Sequence, residues 1–149
     1  MLSTPTTAKL YEQDFAQWID QTVHLLKEGK LDELDLENLI EEVESLGRSD
    51  KRALSSNLII VMLHLLKWQF QSEERSGSWK GSIIEHRRRI KRLLRDSPSL
   101  KSYLESEVTD CYTDARFQAA GETSLDLTKF PMDCPYELKE LLSDGFFPD

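Results

Sequence analysis

Two cysteines, Cys111 and Cys134, are all that 149 residues offer for thiol chemistry. They form no C-x-x-C pair, and nothing around them reads as extracellular, so reduced structural thiols are expected. Only six glycines occur, and their scatter allows neither a phosphate-binding P-loop nor a dinucleotide fingerprint. The three histidines are His24, His64 and His86. None has a glutamate three residues before it or a histidine four residues away, which excludes the di-iron helix and the zinc-protease helix. The carboxylates of "EEVE" (Glu41, Glu42, Glu44) lack the glycine-turned loop of a calcium hand. Cys111 and His64 both fall on apolar helical stripes, where packing is the ordinary role. No catalytic residue, cofactor or metal is therefore expected.

Long apolar runs are missing as well. The longest, "LIIVMLHLL" at 58–66, is interrupted by His64 and falls well short of the roughly 18 residues that span a bilayer. The first residues lack the basic and apolar regions of a secretory signal. A soluble cytoplasmic protein is expected, with no membrane contact and no identified small-molecule substrate. No segment alternates at period 2, no Asn-Gly hairpin occurs and no repeat is visible, so no sheet is expected.

What the chain does have is apolar spacing near 3.6 residues. Tyr11, Phe15, Trp18, Ile19, Thr22, Val23 and Leu26 mark one face of a helix from about Lys9 to Glu28, with Gly29 as a left-handed cap. Asp35 is placed to cap a second stretch carrying Leu36, Leu39, Ile40, Val43 and Leu46. Gly47 either ends that helix, with Ser49 capping the next, or lies within one kinked rod. Residues 58–66 are apolar nearly all round, which marks the central helix. Ser78 is the expected cap of a helix over 79–95. Ser97 and Pro98 then open another, with Leu100, Leu104, Val108, Cys111, Ala115 and Ala119 facing inward. The tail, holding three of the five prolines, reads as an irregular strap, a short helix from Pro135 and an anchor at Phe146 and Phe147. Trp18, Trp68 and Trp79 read as core or groove wall. The fold class is all-α: a single helical domain over 1–149, a bundle of four to five main helices.

Charge is sorted into blocks. Residues 1–47 hold 3 basic and 11 acidic groups, 48–95 hold 12 and 4, and 96–149 hold 4 and 12. On a wheel at about 100° per residue, Lys80, Arg87, Arg88, Lys91, Arg92 and Arg95 share one side of the 79–95 helix. Trp79, Ile83, Ile90, Leu93 and Leu94 share the other. The helix is two-faced, with its basic face expected outward. Glu37, Glu41 and Glu44 make an acidic stripe of matching spacing.

"YEQDF", "LDELDLENLIEEVESLGRSDKRAL", "SWKGSIIEHRRRIKRLLRDSPSLK" and "FPMDCPY", in this order over nearly the whole chain, resemble the bacterial family catalogued as domain of unknown function 29. The resemblance implies an all-α cytoplasmic bacterial protein and carries over no site residue.

Three functional classes follow. The leading one is a non-enzymatic protein-interaction or assembly module. Its partner is another protein or a second copy, met through the charged faces formed by Arg87, Arg88, Lys91, Arg92 and Arg95 and by Glu37, Glu41 and Glu44. The alternative is a nucleic-acid-associated regulator or toxin-neutralising partner using Arg88, Arg92 and Arg95. A weaker third is an enzyme assembled from dispersed carboxylates and His64.

Overall fold

The computed structural model describes residues 9–149. Its chain organises into two compact units, Met1–Arg48 and Ser49–Asp149. Among the described residues every regular element is helical.

In the first unit, helical residues 9–13 stop at Asp14, and helix α1 runs over Phe15–Lys27. The single helix expected from Lys9 is divided because Asp14 leaves helical geometry (φ −152°) and its carboxylate accepts from the Gln17 amide at 3.1 Å. A short acidic side chain satisfies an amide at the start of a helix better than it supports a helix interior. At the other end Gly29, with φ +71°, lets Lys30 N–H reach Leu25 and Gly29 N–H reach Leu26 (3.0 and 3.2 Å). That double closure is the expected left-handed stop.

Helix α2 is one unbroken element, Leu36–Phe70, about 50 Å long. Gly47 neither ends it nor lets Ser49 start a new one. A glycine inside a helix costs about 1 kcal/mol, less than abandoning a turn's hydrogen bonds and renucleating.

The second unit is built on the rest of α2. Leu54, Leu58, Val61, Met62, Leu65 and Leu66 have no exposed surface, as expected of a central helix. Against them pack α3 (Gly77–Asp96), through Ile83 and Ile90, and α4 (Leu100–Thr123), through Leu104, Cys111, Tyr112, Ala115 and Ala119. Helix α3 is capped by Ser76, whose hydroxyl accepts from Trp79 N–H at 3.2 Å, two residues before the expected Ser78. Two serines flank Gly77, and the earlier one lets the helix gain two residues. Ser97 and Pro98 form a turn ahead of α4, closed by Leu100 N–H to Ser97 O at 3.0 Å.

The tail is strapped onto this core. Phe130, Tyr136 and Leu141 are buried. Tyr112 donates to Pro131 O at 2.6 Å, Arg116 to Phe130 O at 3.1 Å, and Tyr136 to Gln69 Oε1 at 2.8 Å. Helix α5 spans Leu138–Leu142, starting three residues after Pro135 because Glu137 and Glu140 form a reciprocal capping box. Phe147 lies 5.2 Å from Trp68, ring to ring. Among the described residues α2 is the one helix long and apolar enough to cross a membrane, and its most apolar stretch is the core just described.

Candidate interaction surfaces

The basic residues of α3 from Arg87 to Arg95 divide into three kinds. Arg87 departs from the expected outward face: it is fully buried. Its Nε donates to Leu141 O at 2.7 Å, and its Nη2 donates to Phe146 O at 2.9 Å and Glu140 O at 3.2 Å. The Phe147 ring lies 5.4 Å away. Two of those carbonyls belong to the last turn of α5, where intrahelical donors run out. Arg87 sits on the wheel beside the apolar sector, so a small rotation carries its head inward to them. Burial pulls its guanidinium below the ordinary arginine range, with Asp144 opposing; it remains a cation, as arginine does.

Arg88, Arg89 and Lys91 have carboxylate partners. Arg88 reaches Glu85 Oε2 at 3.0 Å, Arg89 approaches Glu85 at 3.5 Å, and Lys91 donates to Asp144 at 2.6 Å. Hydrogen bonding from Arg88 holds the Glu85 carboxyl low, and Lys91 does the same to Asp144. Arg92 and Arg95 make no ion pair among the described residues. With Ile84, Arg88, Lys91 and Asp144 they line an open cleft of about 440 Å³. In the first unit, Glu41 pairs with Arg48 at 2.8 Å, while Glu37 and Glu44 are exposed.

Sequence reasoning missed the larger feature of the first unit. The apolar stripes of α1 and of the start of α2 are expected only as helix faces, with nothing in the sequence to say what covers them. Each is covered only along one margin. Trp18 is buried, its indole donating to Asp35 Oδ2 at 3.2 Å, and Asn38 donates to the same oxygen at 2.7 Å. Asp35 thus ties the two helices together with the carboxylate that was expected to cap α2. Tyr11 donates to Glu42 at 2.7 Å and stands edge-on to Trp18, ring centres 4.9 Å apart. That hydrogen bond, with burial, raises the tyrosine's pKa.

Beyond this seam the hairpin is open. Phe15, Ile19, Val23 and Leu26 of α1 are 41–45% exposed, and Leu36, Ile40, Val43 and Leu46 of α2 are 50–69% exposed. Between the helices lies an apolar groove of about 360 Å³, lined by Phe15, Trp18, Ile19, Val23, Leu39 and Val43 among others. Glu37 and Glu44, expected with Glu41 as a charged interaction face, follow the outer border of this apolar strip. The signal was present in the sequence: these stripes are wider than one neighbouring helix covers.

Nucleophiles and bases are subdued. Burial pushes the Cys111 thiol up to about 11 and raises Cys134, so both are protonated near neutrality; neither is in a disulfide. Burial lowers His64, whose Nδ1 lies 2.9 Å from Ile60 O. Among the described residues no group of three or more His, Cys, Asp or Glu side chains is placed to hold a metal ion.

The fold and its surfaces define an all-α protein with an open apolar hairpin and a cationic helix. The family model described as "Domain of unknown function DUF29" matches residues 10–147, and the chain belongs to that family. No curated protein and no solved structure matches it.

Proposed function

We propose that the protein is a non-catalytic protein-interaction module that docks a helical partner on the open face of its N-terminal hairpin. The observation that carries this is the run of large apolar side chains left 41–69% exposed across α1 and α2. Scattered exposed leucines need no explanation, whereas a contiguous strip on two adjacent helices marks a contact surface. Its chemistry fits helix-in-groove recognition, with anchors at i, i+4 and i+7.

A photo-crosslinking amino acid at Val43 of the full chain, expressed in its native cells, tests the reading. We expect discrete protein adducts that disappear when Ile19→Glu is added on the opposite wall. Adducts to lipid alone, or none, would remove the proposal.

The cleft of α3 favours a second reading, contact with nucleic-acid phosphates, because Arg92 and Arg95 have no carboxylate partner among the described residues. On the leading reading, DNA and RNA oligonucleotides show no saturable binding. A complex whose log K falls by about 0.9 per phosphate contact as log salt rises, and which is lost in the Arg92→Glu, Arg95→Glu double variant, would establish the second reading instead.

A further inference from the structure

The reading of the hairpin as a docking surface leaves its occupant open. Resting on that reading, we propose that the occupant is a second copy of this chain, the two hairpins packing face to face about a two-fold axis as an intermolecular four-helix bundle.

Area is the first argument. Taking about 150–200 Å² for a large side chain, the eight exposed residues offer roughly 600 Å² of apolar surface. A specific interface of standard size buries about 800 Å² per partner, and at the roughly 65% apolar share of homodimer interfaces that is about 500 Å². The open strip is of the size one half of such an interface requires.

Spacing is the second. Phe15, Ile19, Val23 and Leu26 recur at intervals of four, four and three along α1; Leu36, Ile40, Val43 and Leu46 recur at four, three and three along α2. This is the core spacing of four-helix bundles. One hairpin supplies two of the four helices and keeps the inner faces of both uncovered. A single partner helix would lie in the groove but leave the outer positions, Leu36 and Ile40, in water. A second hairpin covers them too.

Symmetry is the third. A two-fold contact sets a patch against itself, so the patch must be self-complementary. An apolar strip satisfies this directly, whereas a charged one opposes itself. Here Glu37 and Glu44 lie at the strip's border, where water and salt reach them, and Glu42, the one carboxylate lining the groove, accepts the hydrogen bond of Tyr11 within its own hairpin.

That border also supplies the discriminating test. Residues 1–47 carry 3 basic and 11 acidic groups, so two hairpins repel at long range and salt screens the repulsion. Self-association through this face therefore tightens as salt rises. A cationic helix from a different protein would bind the same groove more weakly as salt rises.

The experiment is sedimentation equilibrium of the purified full chain at low and high salt, spanning micromolar to about 100 micromolar protein. We expect a mass twice the 17.3 kDa of one chain, and a dissociation constant that falls between about 0.05 and 0.5 M salt. Val43→Glu and Ile19→Glu, both at exposed positions, should keep the wild-type circular dichroism and weaken the dimer at least about tenfold, since each would bury an unpaired charge.

A chain that stays monomeric at both salts, while crosslinking from Val43 to a different protein persists, overturns the second copy and leaves the docking surface standing. A dimer that ignores both glutamate substitutions also overturns it, because another surface would then be in contact. Monomers together with no protein crosslink would overturn the docking surface itself.

Discussion

Replacing Arg87 with methionine should cost about 2–4 kcal/mol, while the same change at Arg88 should cost less than about 0.5 kcal/mol. The two residues are neighbours in sequence and opposites in environment. Arg87 is fully buried and donates to three backbone carbonyls, those of Glu140, Leu141 and Phe146. Arg88 pairs with Glu85 one turn earlier, at the surface. Exchanging a buried ion pair for apolar side chains is often neutral, because both charges leave together. Arg87 has no such way out: its acceptors are main-chain oxygens that remain whatever side chain replaces it. Methionine fills most of the volume and satisfies none of them. Lysine should recover only part of the loss, having a single head where the guanidinium fork serves three separated oxygens.

The loss should be local before it is global. Phe147, which lies tilted against Trp68 and beneath Arg87, is released with the strap. In Arg87→Met, tryptophan emission should therefore change, and limited proteolysis should cut first around 138–147. A variant that melts like wild type and resists protease would show that α5 is held by Leu141 packing alone.

Leu65→Ala should lower stability by about 2–5 kcal/mol, read from chemical denaturation. Leu65 has no exposed surface and lies on the stretch of α2 shared by α3, α4 and the strap. Removing its isobutyl group forfeits the transfer free energy and leaves a cavity that three rigid elements cannot all collapse into. The control is Leu46→Ala on the same helix, read at protein concentrations low enough to keep the chain monomeric: 69% exposed in one chain, it should then change stability by less than about 0.5 kcal/mol. Losses of similar size at both sites would contradict the assignment of core and open face along α2.

These two pairs mark the division between what sequence reading reached and what it did not. Leu58, Met62, Leu65 and Leu66 were legible as core because they belong to a stretch with no polar face, and such a helix has one place in a water-soluble fold. Arg87 was assigned to the outward basic face with Arg88, Lys91, Arg92 and Arg95. At the edge of two sectors, orientation depends on the nearest unsatisfied acceptors, and the carbonyls of α5 lie more than fifty residues along the chain. Local spacing carries no record of them.

The charged stripes followed the same pattern. Glu37, Glu41 and Glu44 were correctly placed together on one helix, yet the partner found for Glu41 is Arg48, seven residues on. Arg88 and Arg89 likewise take Glu85, and Lys91 takes Asp144. Exposed cations settle on whichever carboxylate costs least side-chain order, which is usually one on the same helix or the nearest loop.

By itself the sequence determined the helical periods, the central helix and the left-handed stop at Gly29, since each depends on residues within a few turns of one another. Tertiary structure alone decided that α2 runs through Gly47, that Ser76 rather than Ser78 caps α3, that Arg87 turns inward, and that among the described residues the hairpin of α1 and α2 keeps one face uncovered. The reason is common to all four: periodicity states which side of a helix avoids water, and only the packed chain states whether anything is there to cover it.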